Sequence, residues 1–155
     1  MHITKLGVLA VAALTFALLG CSKELKPDHR GVFLASGEKL QELSPVGIDS
    51  DFTPEGFLIS YFSGEPGVTG RISDTCLILY GDYKPFDLRA FANRGERYEI
   101  DSTQPKLADS MEAGGMRKEP EMTKVRFTKP LKTGVYVLDV QQADGSKLQF
   151  AFRVE

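Results

Sequence analysis

The chain has 155 residues, the usual length of one domain, and its 42% hydrophobic and 26% charged residues are typical of a globular protein. Its 19 basic and 21 acidic residues give a formal net charge of −2, which lacks the basic excess of a nucleic-acid-binding protein, so we expect no nucleic-acid partner. The charges are unevenly distributed, because Lys5 is the only charged residue before Lys23. The first twenty residues therefore form a segment of their own.

This N-terminal segment has the pattern of a secretory signal peptide. A short start containing Lys5 precedes an uncharged run of 14 residues, Leu6 to Leu19, which is shorter than the ~20 residues that a membrane-spanning helix needs. The motif Leu18-Leu19-Gly20-Cys21 resembles the lipobox of bacterial lipoproteins. The resemblance implies cleavage before Cys21, a diacylglyceryl group on its sulfur and an N-acyl chain such as palmitate on its new amino group. We predict no other cofactor.

The resemblance also predicts where the protein resides. Two or more acyl chains give stable anchoring where one gives marginal binding, so we expect the mature protein to lie on a membrane of the bacterial cell envelope without crossing it. Ser22 follows the cysteine where an Asp would resemble the inner-membrane retention signal, which favours the outer membrane, with the domain facing the periplasm or the cell surface. The alternatives are an ordinary secretory signal with a coincidental cysteine and an uncleaved N-terminal anchor.

Cleavage would divide the chain into a signal peptide (1–20), a lipidated cysteine with a polar tether (21–30), and a β-sandwich domain (31–155). His2 then belongs to the signal and His29 to the tether, so the folded domain is expected to lack histidine. With Cys21 committed to lipid, we expect no intramolecular disulfide. Cys76 lies in an apolar run and is interpreted as a small buried hydrophobic residue, with an intermolecular disulfide or a reactive thiol as the alternative.

The first half of the domain reads as short strands separated by turns. Residues 32–35 and 39–43 form a candidate hairpin around a turn at 36–38, with a short helix over 38–43 as the alternative. Turn-rich stretches at 44–56 and 63–74 surround a β-prone run at 57–62. The run at 75–80 is apolar on both faces, which predicts a central strand, and the runs at 86–93 and 97–100 are expected to pair.

The stretch from Asp101 to Thr123 breaks this rhythm. Within it we predict a short helix over 105–113, because Pro105 would lie in its first turn, Leu107 and Met111 are one turn apart, and Gly114 would end it.

The last thirty residues alternate apolar and polar side chains, which predicts strands with one buried face. Asp144-Gly145 suits a tight turn, so 135–140 and 147–154 should pair antiparallel. The whole pattern predicts a mainly β fold, an antiparallel β-sandwich with at most one short helix. The segment from Pro130 to Tyr136 resembles immunoglobulin-like domains, in which a Tyr two positions after a Gly hydrogen-bonds back across a corner. That resemblance implies an immunoglobulin-like sandwich.

We expect no catalytic residues in the domain. Without histidine, Ser-His-Asp and Cys-His catalysis and most zinc sites are excluded. Ser36-Gly37-Glu38-Lys39 matches the S-x-x-K pattern of penicillin-interacting enzymes but is interpreted as a hairpin turn. Asp49, Asp51 and Glu55 lack the spacing of an EF-hand calcium loop and are interpreted as a solvated turn. The glycines at 64, 67 and 70 indicate a turn-rich loop.

The three methionines after Cys21, Met111, Met116 and Met122, fall within twelve positions. Thioether sulfur favours Cu(I), and the final hairpin is similar to that of periplasmic copper-resistance sandwiches. Those domains place a His after the Asp-Gly, where this chain has Ser146. The methionines are therefore interpreted as apolar packing, and we predict no metal site.

The sequence thus predicts a membrane-anchored lipoprotein whose domain is a non-catalytic binding or structural module. It would present residues 44–56, 63–74 and 101–123 to an envelope protein partner. One alternative is a hydrolase that uses two carboxylates, as glycosidases do; its candidate acids are Asp49, Asp51, Glu55, Asp74 and Asp82. Another is a small-ligand-binding or metal-binding periplasmic module.

Overall fold

A computed structural model describes residues 25–104, 107–116 and 119–155, except the side chains of residues 119 and 120. The predicted signal peptide and Cys21 lie outside the described residues. The described chain is mainly β, and a 3-10 turn at Ala108–Ser110 is the one helical stretch in it. No helix in this part of the chain is both long and apolar enough to span a membrane. The strands are β1 (Gly31–Ser36), β2 (Lys39–Glu42), β3 (Pro45–Val46), β4 (Asp49–Phe52), β5 (Leu58–Ser63), β6 (Thr69–Gly70), β7 (Thr75–Tyr80), β8 (Tyr83–Asn93), β9 (Arg97–Ile100), β10 (Met111–Met116), β11 (Glu119–Phe127), β12 (Gly134–Gln142) and β13 (Lys147–Val154).

The strands form two sheets. Sheet A has the order β10-β11-β7-β1-β2, and sheet B has the order β3-β13-β12-β8-β9-β5-β4, with β6 also paired to β13. The neighbouring strands in these two orders are antiparallel, whereas β6 runs parallel to β13. The prediction of a mainly β, antiparallel fold is confirmed.

One apolar core lies between the two sheets. Alternate residues of β1, β7 and β11 point into it from sheet A, and alternate residues of β8, β12 and β13 point into it from sheet B, because side chains on a strand alternate between faces. Its most buried members include Val32, Leu34, Leu77, Leu79, Leu88, Val125, Leu138, Val140, Phe152 and Val154. Two sheets sharing one core make the arrangement a β-sandwich.

Sheet B is strongly rolled and encloses a second core. Its edge strands β3 and β4 are joined by only Gly47 and Ile48, so the Cα atoms that end β3 and begin β4 are at most about 11 Å apart. The roll buries Phe62, Phe91, Tyr98, Val135, Val137 and Ala151 on the side of sheet B away from sheet A. Strand β12 is therefore buried on both faces. The finer immunoglobulin-like description is not confirmed, since an open sandwich sheet has one buried face.

Most of the predicted strands are confirmed. The first hairpin is β1 with β2, and Ser36 pairs with Lys39 across its turn, which excludes the alternative helix and the S-x-x-K site. The run at 75–80 is β7, the middle strand of sheet A. Strands β8 and β9 pair as expected, and so do β12 and β13. The Tyr136 hydroxyl donates a hydrogen bond to the Lys132 carbonyl at 2.7 Å, which confirms the predicted corner.

Of the predicted helix over 105–113, the structure has only a 3-10 turn at Ala108–Ser110, and residues 105 and 106 lie outside the described residues. Strand β10 begins at Met111, where cross-strand pairs with Phe127 and, two residues on, Val125 hold this segment on β11 at the edge of sheet A. Gly114 lies inside β10 and does not end a helix. The turn-rich stretches also contain strands, because β3 and β4 in 44–56 and β6 in 63–74 pair with neighbours that the local sequence does not reveal.

The prediction for Cys76 is half right. Its side chain is 1% exposed and lies on the outer face of sheet A beside Phe33, Ile78 and Met122, so the predicted burial is confirmed. However, Cys76 is disulfide-bonded, so the expectation that no intramolecular disulfide forms does not hold for this structure. Cys21 is the only other cysteine of the chain, and it lies outside the described residues.

Candidate interaction surface

The exposed apolar side chains concentrate on the hairpin of β4 and β5. Phe52, Phe57 and Leu58 are 70%, 71% and 61% exposed. In the described part of the chain, the other large apolar residues with high exposure are Phe86 and Ile72. Three of these five residues thus belong to one hairpin. Clusters of exposed apolar side chains mark interaction sites more often than single exposed residues do.

The turn of this hairpin is closed by three hydrogen bonds. The Thr53 amide donates to the Phe57 carbonyl at 2.7 Å, and the Gly56 amide donates to the Thr53 carbonyl at 2.8 Å. The Thr53 hydroxyl accepts a third hydrogen bond from the Phe57 amide at 3.1 Å. Gly56 has φ +86°, a conformation that favours glycine. The hairpin therefore presents its apolar side chains from a fixed backbone.

Arg97 connects the hairpin to the rest of sheet B. Its guanidinium lies 4.2 Å from the centre of the Tyr61 ring, 2.8 Å from a Glu99 carboxylate oxygen and 3.7 Å from an Asp51 carboxylate oxygen. The hydrogen bond to Glu99, followed by the charges of Glu99, Tyr61 and Asp51, raises the pKa of Arg97. These contacts link β4, β5 and β9 through one side chain and support the base of the hairpin.

The hairpin itself is acidic. The ten residues from Asp49 to Leu58 include Asp49, Asp51 and Glu55 but no lysine or arginine, and all three acids are exposed. Their predicted exposure is confirmed, but Asp49 and Asp51 lie in strand β4, and Glu55 alone lies in a turn. Within the described ranges, no group of three His, Cys, Asp or Glu side chains is arranged to hold a metal ion.

Strand directions place the hairpin turn at a definite end of the molecule. Strands β5 and β8 are both antiparallel to β9, so they run in the same direction. The β4–β5 turn, which precedes β5, therefore lies toward the end where β8 begins. Tyr83 at that end pairs with Gln142 beside the β12–β13 turn. Ile72 lies at the opposite end, where its amide donates to the Glu155 carbonyl.

A polar cleft of about 610 Å³ lies at the same end as the β4–β5 turn. The β7–β8 turn, β11 and the β12–β13 turn supply its walls, with Asp82, Tyr83, Lys84, Glu121, Thr123, Gln141 and Gln142 among the lining residues. Most of the lining residues carry a hydroxyl, amide or charged group, whereas typical small-molecule pockets are lined mostly by apolar residues.

The candidate acids of the hydrolase alternative are divided among three regions. Asp49, Asp51 and Glu55 belong to the β4–β5 hairpin. Asp74 accepts a hydrogen bond from the Ser36 hydroxyl at 3.1 Å near the β1–β2 turn, and Asp82 lines the polar cleft. The structure therefore brings three of the five acids into one hairpin and separates the other two from them.

The described part of the predicted tether contacts the domain. Leu25 packs against the outer face of sheet A, and Pro27 is buried. Arg30 forms an ion pair with Glu121 at 2.9 Å. His29 packs edge-on against Phe33, with ring centres 5.3 Å apart. The expectation that His29 lies away from the domain is therefore wrong, because the polar composition of this segment conceals its contacts with the sheet.

The ring of His29 lies between two carboxylates. Its Nε2 atom is 2.9 Å from a Glu42 oxygen, and its Nδ1 atom is 2.5 Å from an Asp28 oxygen. The hydrogen bond to Glu42, followed by the one to Asp28, raises the pKa of His29. The hydrogen bond and charge of His29 in turn lower the pKa of Asp28.

A buried ion pair inside sheet B was not predicted from the sequence. Arg89 on β8 lies 2.9 Å from an Asp139 oxygen on β12, and the Asp139 side chain is 8% exposed. Burial raises the pKa of Asp139, and the charge of Arg89 opposes that shift. The alternation along β12 placed Asp139 on a polar face, and the roll of the sheet buries that face. No sequence signal marks this pair.

The three methionines do not share one site. Met111 packs against the core between the sheets, whereas Met116 and Met122 pack on the outer face of sheet A. The interpretation of these residues as apolar packing is confirmed.

No protein-family model, curated protein or solved structure matches this chain.

Proposed function

We propose that the protein is a lipid-anchored, non-catalytic binding module of the bacterial cell envelope, attached through Cys21 and binding an envelope protein through the β4–β5 hairpin. The observation that carries the binding role is the concentration of Phe52, Phe57 and Leu58 on one ordered hairpin. An exposed apolar cluster of this kind serves contact with another surface, because it contributes little to its own fold.

The anchoring role is supported by the lipobox-like motif and by the short length of chain between Cys21 and the domain. Leu25 already packs against sheet A, so only Ser22, Lys23 and Glu24 lie between it and Cys21. Four residues of extended chain span at most ~14 Å. A domain attached in this way stays close to the lipid surface, and its binding partner must therefore be accessible near the membrane.

Lipidation and a disulfide are mutually exclusive fates of the Cys21 sulfur. A sulfur that carries a diacylglyceryl thioether has no further bond to give to Cys76. The disulfide bond of Cys76 in this structure therefore makes the chemical state of Cys21 the decisive measurement for the proposed anchor.

Mass spectrometry of the full chain expressed in a two-membrane bacterium tests this directly. We expect a mature N-terminus at Cys21 that carries a diacylglyceryl group and an N-acyl chain. Cys21→Ser should remain uncleaved and without lipid. An intact Met1, or a mature chain in which Cys21 is linked to Cys76, contradicts the anchor.

Substitution of Ser22, the residue after the cysteine, tests the assignment of the protein to the outer membrane. We expect the lipidated chain to fractionate with the outer membrane on a density gradient. Ser22→Asp should move it to the inner membrane, and Ser22→Thr, which keeps a neutral hydroxyl side chain, should not. Equal distribution of all three chains between the membranes contradicts the assignment to the outer membrane.

A further inference from the structure

We infer that the β4–β5 hairpin binds a protein surface that combines an apolar pocket with a border of lysine or arginine side chains. This inference rests on the proposed function and specifies the chemistry of the partner. It follows from the joint placement of Phe52, Phe57 and Leu58 with Asp49, Asp51 and Glu55 on one hairpin.

The apolar side chains of the hairpin are exposed on a backbone that hydrogen bonds hold in place. Phe52 and Leu58 are a cross-strand pair, so their side chains lie together on one face of the hairpin, and Phe57 is the exposed residue that precedes Leu58 at the turn. The turn hydrogen bonds of Thr53 and Gly56 fix the backbone before a partner binds. A preorganised apolar tip loses little conformational freedom on entering a pocket, which favours binding.

The acids of the hairpin outnumber the basic groups that contact them. No lysine or arginine occurs between residues 49 and 58, and the guanidinium that lies nearest to Asp51, that of Arg97, is shared with Glu99. The hairpin therefore carries excess negative charge, with Glu55 in the turn itself, two residues before Phe57. Complementary charge on the partner would steer the encounter and disfavour wrong partners.

The same charges disfavour two other binding partners, a lipid membrane and a second copy of this chain. Insertion of the tip into lipid would bring Glu55, which lies in the turn between Thr53 and Phe57, into a medium where a carboxylate is costly to bury. A symmetric contact with a second copy would place two acidic tips against each other, and like charges in contact are unfavourable. A basic-rimmed protein pocket satisfies both the apolar and the acidic residues.

Site-specific photo-crosslinking in cells tests the inference on the full chain. Phe57→p-benzoylphenylalanine places the reactive group on the tip, and Ile72→p-benzoylphenylalanine places it at an exposed apolar position at the opposite end. We expect a discrete protein adduct from position 57 that position 72 does not give. The crosslinked peptide of the partner, identified by mass spectrometry, should lie beside lysine or arginine residues.

Binding assays with the purified partner then test the apolar and the charged contributions separately. Phe57→Ser should weaken binding about tenfold or more, as loss of a central apolar anchor does. The pair Asp49→Lys and Glu55→Lys should weaken it several-fold at low salt, and this loss should diminish as salt is added. Glu112→Lys, which reverses an exposed acid on β10, should leave the dissociation constant unchanged.

The outcomes separate this inference from the proposed function. A protein adduct whose formation and affinity resist the two charge reversals overturns the basic border but leaves the binding role intact. An adduct with phospholipid, an adduct with a second copy of the chain, or no adduct above that from position 72 overturns the inference and the partner-binding role together. None of these results bears on lipidation of Cys21, which mass spectrometry determines independently.

Discussion

Two hairpins that turn at the same end of the molecule place their apolar side chains in opposite environments. In the β12–β13 hairpin, Val137, Leu138 and Phe152 are completely buried, whereas Phe52 and Phe57 of the β4–β5 hairpin are 70% and 71% exposed. Both turns are closed by backbone hydrogen bonds. The difference shows that phenylalanine occupies two different environments in this fold. In β12–β13 it holds the two sheets together, and in β4–β5 it is available to another molecule.

The largest effect should come from truncating the buried hairpin. Phe152→Ala removes a fully buried ring that stacks on Tyr136 with centres 5.8 Å apart, and it leaves a cavity between the sheets. We expect the free energy of unfolding to fall by about 3–5 kcal/mol, measured by urea denaturation. Leu148→Ala, at a half-buried position on the same strand, should cost less. Equal losses in the free energy of unfolding for Phe152→Ala and Leu148→Ala would contradict the argument that burial determines the contribution of each side chain.

A smaller effect should come from the hydrogen bond at the start of β12. Tyr136→Phe keeps the ring on Phe152 but removes the donor to the Lys132 carbonyl. We expect a loss of about 1 kcal/mol in the free energy of unfolding, the usual net contribution of one hydrogen bond. Lys132→Ala is the matched control, because the acceptor is a backbone carbonyl that survives the substitution. An unchanged denaturation midpoint for Tyr136→Phe contradicts a stabilising role for the corner.

The two hairpins also differ in how far the sequence predicted them. Alternating apolar residues and Asp144-Gly145 predicted the β12–β13 pairing, because strand period and turn chemistry are local properties. The burial of Val137 and Asp139 was not predicted. It depends on the roll of sheet B, which brings together residues distant in the chain.

The β4–β5 hairpin was harder to predict. The acids and Pro54-Glu55-Gly56 predicted a turn, but β4 exposes all four of its residues and has no apolar alternation to mark it as a strand. Only its pairing with β5 defines it. Phe57 and Leu58 were assigned to a β-prone run, and nothing in their local sequence distinguishes them from core residues. The candidate surface therefore emerged from exposure, which is a property of the folded chain.

The N-terminal segment at 25–30 is held against sheet A both by buried apolar residues and by exposed polar contacts. The raised pKa of His29 means that its contacts with Glu42 and Asp28 are strongest with the ring protonated. These contacts stabilise the attachment of the segment to sheet A, which we call docking, at pH values below the ordinary histidine pKa of ~6.5. The stabilisation is lost as the pH rises through the raised pKa of His29. The lowered pKa of Asp28 adds docking strength above its ordinary value of 3.8, and this is lost as the pH falls. Docking should therefore be strongest between about pH 4 and 6.5.

A titration by NMR checks this window. The His29 ring should titrate above the ordinary histidine value, and Glu42→Ala should lower its pKa because the hydrogen bond that contributes most is removed. Amide exchange of the segment at 25–30 should accelerate as the pH passes the His29 pKa, after correction for intrinsic exchange rates. Titration of His29 at the same pH in both chains would contradict the contact with Glu42.

The smallest effect on stability should come from a substitution on the proposed binding hairpin. Phe57→Ala makes the same chemical change as Phe152→Ala, but it acts on a ring that is 71% exposed. We expect a change within about ±0.5 kcal/mol in the free energy of unfolding, as for surface positions in general. The turn should persist, because the Phe57 amide and carbonyl that bond to Thr53 belong to the backbone. A loss above about 1 kcal/mol would mean that the ring stabilises its own hairpin. The exposed cluster would then be explained by folding alone. A near-zero change in stability, together with weakened partner binding, would assign the Phe57 ring to binding and the Phe152 ring to folding.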